Sequence, residues 1–258
     1  MQDHWMRSMR RGWKRAFPSI IVLFWCSAIH AQESCSVEIK LLLLPSTSKS
    51  VIASLNFAKQ TTSRIYFFDT GSLSLLNQGV IVRVRQGAKN DLTVKVRLPQ
   101  GDKQIENSKL QDDFGCEIDR TEAGANTSYS VGKSYKHQEA PQAGDELFSA
   151  FSSRQRELLR EAHVSITWSQ VRRTSGIGST TWATPLESPF GKLTLEYWEF
   201  PEGNLLELSA RSAASDWELK DADLHRIVKL KGLLLSPNQE TKTSTVLRGL
   251  KHDMPPPE

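Results

Sequence analysis

Residues 79–99, GVIVRVRQGAKNDLTVKVRLP, alternate between apolar and polar positions on both sides of a short polar turn. In the first half the valines occupy every second position from Val80 to Val84, and Arg83 and Arg85 fall between or after them. The second half repeats the pattern, with Leu92, Val94 and Val96 opposite Thr93, Lys95 and Arg97. Because successive side chains of a strand point to opposite faces, this pattern predicts a hairpin with one apolar and one cationic face.

The same reasoning assigns elements to the rest of the chain. Alternation predicts further strands at 34–44, 63–70, 115–121, 163–174, 192–200 and 205–211. Apolar residues at helical spacing predict helices at 49–59, 145–162 and 221–235. Residues 122–144 are rich in Gly, Ser, Asn, Lys and Gln, a composition that predicts a mobile connection between two β-rich halves. We therefore expect a single domain over residues 32–258, of the all-β or α+β class.

The N-terminus has the layout of a secretory signal peptide. Five arginines and lysines within the first fifteen residues precede the apolar run PSIIVLFWCSAIHA, which ends in small residues. The signal peptide is predicted over residues 1–31, with cleavage after Ala31 or, as an alternative, after Ala28. A retained membrane anchor is the competing interpretation. The sequence predicts no other membrane span, so the mature chain is expected to be exported, either periplasmic or secreted.

Cleavage would remove Cys26 and leave two cysteines, Cys35 and Cys116. An even pair in an exported domain favours a disulfide, and strand parity places both on the face away from the neighbouring polar side chains. Two partly buried thiols are the alternative. The net charge of +4 over 258 residues does not indicate a protein that coats nucleic acid.

The polar faces of the predicted strands carry both bases and acids. One explanation is an antiparallel sheet with one face in water. The other is a closed barrel with a polar lumen, which needs both signs because unpaired buried charges are very costly. Arginine and lysine bind phosphate oxygens, and clustered carboxylates hold Mg²⁺ or Mn²⁺. A lumen of this kind would suit a metal–polyphosphate ligand.

Several of these strands resemble, in order, the signature strands of the CYTH superfamily, the triphosphate tunnel metalloenzymes. The matching segments are SVEIKLLLL, YFFDTGSLSLLNQGVIVRVRQ, LTVKVR and GCEIDRT. They correspond to the family's Glu-x-Glu-x-Lys, Tyr/Phe-Asp-Thr, Gly-x-x-x-Arg-x-Arg, Thr-x-Lys and acidic Glu-x-Glu motifs. The resemblance covers about residues 35–250.

The resemblance implies a closed eight-stranded antiparallel β-barrel with flanking helices, which binds triphosphate-bearing ligands with Mg²⁺ or Mn²⁺. The residues it assigns to phosphate binding are Lys40, Arg83, Arg85, Lys95, Arg97, Arg173 and Lys242. Those it assigns to metal binding are Glu38, Glu117, Asp119, Glu196 and Glu207. Catalysis would depend most directly on Glu38, Lys40 and Glu117, which would act through a metal-bound water.

Two positions depart from the family pattern. Ser36 stands where the first glutamate of Glu-x-Glu-x-Lys is expected, and Ser209 stands where the last acidic strand commonly has a second carboxylate. The leading hypothesis is a metal-dependent hydrolase of tripolyphosphate or an organic triphosphate. A non-catalytic module that binds polyphosphate or another anion is the alternative. A barrel for an apolar small molecule conflicts with Arg83 and Lys95 on one face.

Overall fold

The computed structural model describes residues 35–99, 114–136, 139–142, 144–185 and 187–250. All of them belong to one unit, Glu33–Glu258. The predicted signal peptide and Cys26 lie outside the described residues, so the predicted cleavage and export stay predictions.

Ten strands and six α-helices are present in the described ranges. The strands are β1 (Ser36–Leu43), β2 (Lys59–Asp69), β3 (Val80–Gly87), β4 (Asp91–Pro99), β5 (Gly115–Thr121), β6 (Gly124–Ser134), β7 (Arg172–Arg173), β8 (Ile177–Ala183), β9 (Leu193–Phe200) and β10 (Gly203–Ser212). The helices are α1 (Ser48–Ser54), α2 (Ser74–Asn77), α3 (Gly144–Ala150), α4 (Ser153–Glu161), α5 (Trp217–Leu230) and α6 (Lys242–Gly249). Among them, none is long and apolar enough to cross a membrane.

Nine of the strands form a closed barrel. Their order is β3-β4-β6-β5-β1-β10-β9-β8-β2, and pairing of β2 with β3 closes the ring, while β7 pairs with β2 outside it. The prediction of a closed barrel with flanking helices is confirmed. The prediction of eight antiparallel strands is wrong in two respects, because there are nine barrel strands and β1 runs parallel to β5.

The strand β6 lies within the segment that the composition assigned to a mobile connection at 122–144. Its polar composition has a different cause, because small residues of β6 face the inside of the barrel. Ser130, Gly132 and Ser134 line the interior, whereas Tyr129 and Val131 point outward into the hydrophobic core. A strand whose inner face is made of serine and glycine resembles a loop in composition.

The strand predicted at 163–174 is also wrong over most of its length. The backbone N–H and C=O of Ser165 bond to the side chain of Gln78, at 3.0 and 2.9 Å, rather than to a neighbouring strand. A 3₁₀ turn follows at Trp168–Gln170, and within this segment only β7 pairs as a strand. The alternating apolar residues of this segment nevertheless pack against the core.

The helix predicted at 145–162 is two helices. The break falls at Ser152, whose side chain accepts the backbone N–H of Gln155 while the Gln155 side chain accepts the N–H of Ser152. This reciprocal pair is a capping box, which fixes the start of α4. Gln155 is fully buried and also donates to the backbone of β4 at Leu92, 2.9 Å away.

Two local features fix the turn between β2 and β3. The buried carboxylate of Asp69 accepts the backbone N–H groups of Thr70, Leu75 and Leu76 at 2.8–2.9 Å. Gly79 has φ +72°, and a β-carbon there would lie 2.3 Å from the carbonyl oxygen of Arg97. The Asp-Thr and Gly positions of the resemblance therefore hold the arginine strand in place and do not face a ligand.

Cys35 and Cys116 form a disulfide with Cα atoms 4.8 Å apart. It is the pairing that the sequence predicted. The bridge joins the start of β1 to the start of β5, immediately before their parallel pairing. It therefore ties together two strands that are 81 residues apart in the chain.

Candidate functional site

The barrel encloses a central cavity of about 670 Å³, within the range of about 300–1,000 Å³ that is typical of small-molecule sites. Eight of the nine barrel strands and the start of α6 contribute to its wall. Its charged lining residues are Glu38, Lys40, Arg83, Arg85, Lys89, Asp91, Lys95, Arg97, Glu117, Lys133, Glu196, Glu207, Arg211 and Lys242. Nine of these are cationic and five are acidic, but the ammonium of Lys133 donates to the backbone oxygen of Ala150, so the other charges leave an excess of three positive charges. The charged strand faces thus line a lumen, and an apolar ligand does not fit it.

One wall of the central cavity is formed by Arg83 and Arg85 on β3. They share Asp91, which lies 3.6 Å from Arg83 Nη2 and 3.9 Å from Arg85 Nε and also accepts the hydroxyl of Thr93 at 2.8 Å. Burial, together with the neighbouring charge of Arg85, lowers the pKa of Arg83 to about 10. Arg83 still remains charged at neutral pH, and this wall holds two arginines against one acid.

The opposite wall holds an acidic cluster, made of Glu38, Glu117 and Asp119. These carboxylates offer oxygens that lie within 4.8 Å of one another. The parallel pairing of β1 with β5 sets Glu38 beside Asp119, and Glu117 precedes Asp119 by two residues on the same face. Alternation along the sequence does not predict this pairing, because it does not encode the register of two parallel strands.

Two lysines, Lys40 and Lys95, form ion pairs with the acidic cluster. Lys40 Nζ lies 2.8 Å from Glu38 Oε2 and contacts Asp119, and Lys95 Nζ lies 3.1 Å from Glu117 Oε2 and 2.8 Å from Asp119 Oδ2. Burial alone would lower the pKa of Lys40, but Asp119 and Glu38 outweigh it and hold that pKa above its ordinary value. Burial would raise the pKa of Glu38, and Lys40 reverses that shift.

Asp119 differs from the two glutamates because its side chain has no exposed surface. Lys40, Lys95 and the hydroxyl of Ser128 all contact it, and Arg97 Nε lies 3.6 Å away. Burial would raise its pKa, but these cations hold the pKa far below its usual range. Asp119 therefore anchors the cationic side chains and has no oxygen free to face the central cavity.

A second group of charges is formed where Glu196 and Glu207 face each other across β9 and β10. Lys242, the first residue of α6, donates to both, at 2.7 Å to Glu207, and its ammonium lies 4.7 Å from the ring centre of Trp198. Burial would raise the pKa of Glu196, but Lys242 lowers it to about 2. The structure thus brings these three predicted residues together in the wall of the central cavity.

Arg173 is the predicted phosphate-binding residue that the structure places elsewhere. It lies in β7, outside the barrel, where it donates to the backbone oxygen of Ala140 at 2.9 Å and packs 4.8 Å from the ring of Tyr66. The alternation at 163–174 predicts one long strand, but only Arg172–Arg173 form a strand and it lies outside the ring. The prediction that Arg173 grips phosphate from inside the barrel is wrong.

The central cavity is also lined by residues that were not among the predicted site residues. Asp91 was assigned to the hairpin turn, although it precedes Thr93, Lys95 and Arg97 at even spacing and so shares their face. Arg211 follows Glu207 and Ser209 at the same spacing on β10. Strand parity alone would have found both. Thr241, the N-cap of α6, and Thr243, within it, also line the central cavity, and no alternation pattern predicts them.

Among the described residues, three arginines of the central cavity have a buried Nε without a hydrogen bond, namely Arg83, Arg85 and Arg97. Two of these Nε atoms face acids at longer range, since Arg85 Nε lies 3.9 Å from Asp91 and Arg97 Nε lies 3.6 Å from Asp119. The three arginines converge on the central cavity from two adjacent strands, with Lys95 between them. Together with the excess of positive charge, this convergence fits an anion with several oxygens.

The donor set also fits a divalent cation at one place. Mg²⁺ and Mn²⁺ prefer carboxylate oxygens. Glu38 and Glu117 line the central cavity and lie in one acidic cluster, so they are the carboxylates best placed to hold such an ion. Asp119 is committed to its cationic partners, and Glu196 and Glu207 are committed to Lys242. The serines at 36 and 209 add no charge.

No protein-family model matches this sequence, and no curated protein matches it significantly. Several solved structures do match this chain in fold. One, from Hippeastrum, is described as a candidate adenylyl cyclase with a dominant triphosphatase activity; it aligns with a TM-score of 0.56 and 19% identity over 82% of this chain and 95% of its own. A candidate adenylate cyclase from Bacillus halodurans aligns at 0.54 and 18% identity, over 82% of this chain and 97% of its own. This chain has the CYTH fold. Similarity at 18–19% identity shows the fold alone. What the protein does has to be argued from the residues of the central cavity.

Proposed function

We propose that the central cavity binds the triphosphate group of tripolyphosphate or of an organic triphosphate, together with Mg²⁺ or Mn²⁺, and hydrolyses it. The observation that carries the proposal is the convergence of Arg83, Arg85 and Arg97 on the same enclosed space as Glu38 and Glu117. The triphosphatase activity named for the Hippeastrum protein supports it.

The basic residues of this chain would bind and orient the phosphate chain. Arg83 and Arg85 can each present two nitrogens to one phosphate group, because a guanidinium forms paired hydrogen bonds with phosphate oxygens. Lys40 and Lys95 are fixed by Asp119, so they add fixed positive charge where charge builds up on the transferred group. When bound, the metal would neutralise phosphate charge and lower the pKa of a bound water. Glu38 and Glu117 would hold it.

The test is phosphate release from tripolyphosphate by the purified chain with Mg²⁺ or Mn²⁺. We expect Arg85→Ala to lower the rate by about 100-fold, the usual effect of removing a donor from a preorganised anion site. Arg226→Ala is the matched control, because Arg226 is exposed on α5 and forms an ion pair with Asp223. A wild-type protein that releases no phosphate above the Arg85→Ala background would refute hydrolysis.

A non-catalytic anion-binding module is the second candidate, and two observations favour it. Serine replaces a carboxylate at positions 36 and 209, and lysines already occupy oxygens of Glu38, Glu117, Glu196 and Glu207. Calorimetry separates the two candidates. Tight tripolyphosphate binding that is unchanged by a chelator, without turnover, would establish the binding module.

We also propose that the protein acts outside the cytoplasm. The Cys35–Cys116 disulfide supports export, because such bonds persist in oxidising compartments. Fractionation of the native host with an antibody to the chain tests this, together with N-terminal sequencing of the mature protein. Recovery of the full-length chain in the cytoplasm would refute it.

A further inference from the structure

Arg211 lines the central cavity and contacts two members of the acidic cluster, Glu38 and Glu117. In the β1–β10 ladder it is the register partner of Glu38, two residues beyond Ser209. Its Nε lies 3.6 Å from Glu38 Oε1, and its Nη2 lies 3.1 Å from Glu117 Oε1. The guanidinium therefore spans the two carboxylates that are best placed to hold a divalent cation.

The oxygens of these two glutamates are divided between different cations. The Oε2 atom of Glu38 faces Lys40, and the Oε2 atom of Glu117 faces Lys95. Arg211 takes the remaining oxygen of each glutamate, Oε1. For Glu38 and Glu117 to hold a divalent cation together, at least one of these three cationic side chains would have to move away.

Burial decides which of the cations can leave. The side chains of Lys40 and Lys95 are 12% and 19% exposed and both contact the fully buried Asp119, whereas the Arg211 side chain is 70% exposed. Withdrawal of a lysine would leave a buried carboxylate with less compensation, which is costly. Withdrawal of Arg211 breaks two ion pairs of an exposed side chain, and each glutamate keeps its lysine partner. Arg211 is thus the cation that a metal displaces most readily.

The geometry points to Arg211 as an exchangeable cation that competes with the divalent metal for Glu38 and Glu117 and, once displaced, binds a phosphate of the substrate. This role rests on the proposed function. A displaced guanidinium at the edge of a cationic cavity retains a long, exposed side chain and a strong preference for phosphate oxygens. Arg211 would thereby couple arrival of the metal to capture of the polyphosphate.

Two binding measurements on the full chain test this role without any turnover. The first follows Mn²⁺ alone by the loss of its free electron paramagnetic resonance signal. The second follows a non-hydrolysable tripolyphosphate analogue by calorimetry, once with a chelator and once with Mn²⁺ present. We expect Arg211→Ala to tighten Mn²⁺ binding by about 3- to 10-fold, because the variant lacks the exposed cation that competes for Glu38 and Glu117. We expect the same variant to weaken binding of the analogue by about the same factor when Mn²⁺ is present, and to change it much less when the metal is chelated.

The opposite directions of the two effects are the signature of this role, because a general loss of structure would weaken both. Arg226→Ala, equally exposed and paired with an acid, should change neither. Unchanged or weaker Mn²⁺ binding by Arg211→Ala, beside a wild-type protein that binds both probes, would overturn the role of Arg211 alone. Failure of the wild-type protein to bind either probe would overturn the proposed function and this role together.

Discussion

Replacement of Asp119 by asparagine would remove a carboxylate whose side chain has no exposed surface and which contacts Lys40 and Lys95. Asparagine keeps nearly the same shape and retains a carbonyl oxygen for the hydroxyl of Ser128, 2.7 Å away in the native protein. What the variant loses is charge. The two lysines, each less than one-fifth exposed, would then face Glu38 and Glu117 as their remaining nearby acids.

The expected loss of stability is about 3–5 kcal/mol, the cost of removing one partner from a buried ion pair. Urea denaturation at pH 7 measures it as a lower midpoint with the slope unchanged. The matched control is Asp223→Asn, because Asp223 forms an exposed pair with Arg226 at 2.8 Å. Such a pair is worth about 1 kcal/mol or less.

The same comparison predicts a dependence on pH. The pKa of Asp119 lies far below its usual range in the folded protein, because neighbouring cations outweigh its burial. The carboxylate therefore contributes its full stability above the unfolded-state pKa, about 3.9, and loses it as the pH falls from there. The difference in free energy of unfolding between wild type and Asp119→Asn should be largest near neutral pH and should become smaller below about pH 4.

A loss of less than about 1 kcal/mol at pH 7 would refute this reasoning, because it would mean that Lys40 and Lys95 do not depend on a buried partner. If the difference in free energy of unfolding stays constant down to pH 2, the effect does not come from the charge of Asp119.

Three further predictions concern other parts of the structure. Gly79→Ala should destabilise the protein by about 1–3 kcal/mol in thermal unfolding, because φ is +72° and the new β-carbon would meet the Arg97 carbonyl, whereas Gly249→Ala, without a positive φ, should cost much less. Reduction of the disulfide should lower the free energy of unfolding by about 2–4 kcal/mol, measured in urea with and without reductant; no change would contradict its role as a clamp. The carbonyl of Asp221 and the carboxylate of Glu122 outweigh burial and raise the pKa of His225, so its contribution is complete below about pH 6.5 and lost as the pH rises through the higher folded pKa. His225→Gln should therefore destabilise more at pH 5.5 than at pH 9, and the reverse order would contradict this assignment.

The sequence contained enough information to predict which residues face the central cavity wherever a strand alternates cleanly. In the hairpin of β3 and β4, the valines are buried and Arg83, Arg85, Lys95 and Arg97 line the lumen. Alternation works there because the two faces meet environments of opposite polarity. Where small polar residues and glycine occupy most positions of a strand, as in β6, alternation between apolar and polar residues gives no prediction.

Contacts between distant strands could not be predicted in the same way. The parallel pairing of β1 with β5, which sets Glu38 beside Asp119, depends on the order of strands around the barrel. The contact of Lys242 with Glu196 and Glu207 depends on where α6 docks. Arg173 shows the converse error, because an arginine in an apparent strand was assigned to the lumen although that segment lies outside the ring.

The central claim is that basic side chains from separate strands converge on one enclosed space to hold a chain of phosphates. A crystal structure of the full chain grown with tripolyphosphate and Mn²⁺ tests this most directly. The account predicts phosphates within hydrogen-bonding distance of the Nε or terminal nitrogens of Arg83, Arg85 and Arg97, with Mn²⁺ bound to Glu38 and Glu117. Phosphates found only on the outer surface, with an empty cavity, would contradict it.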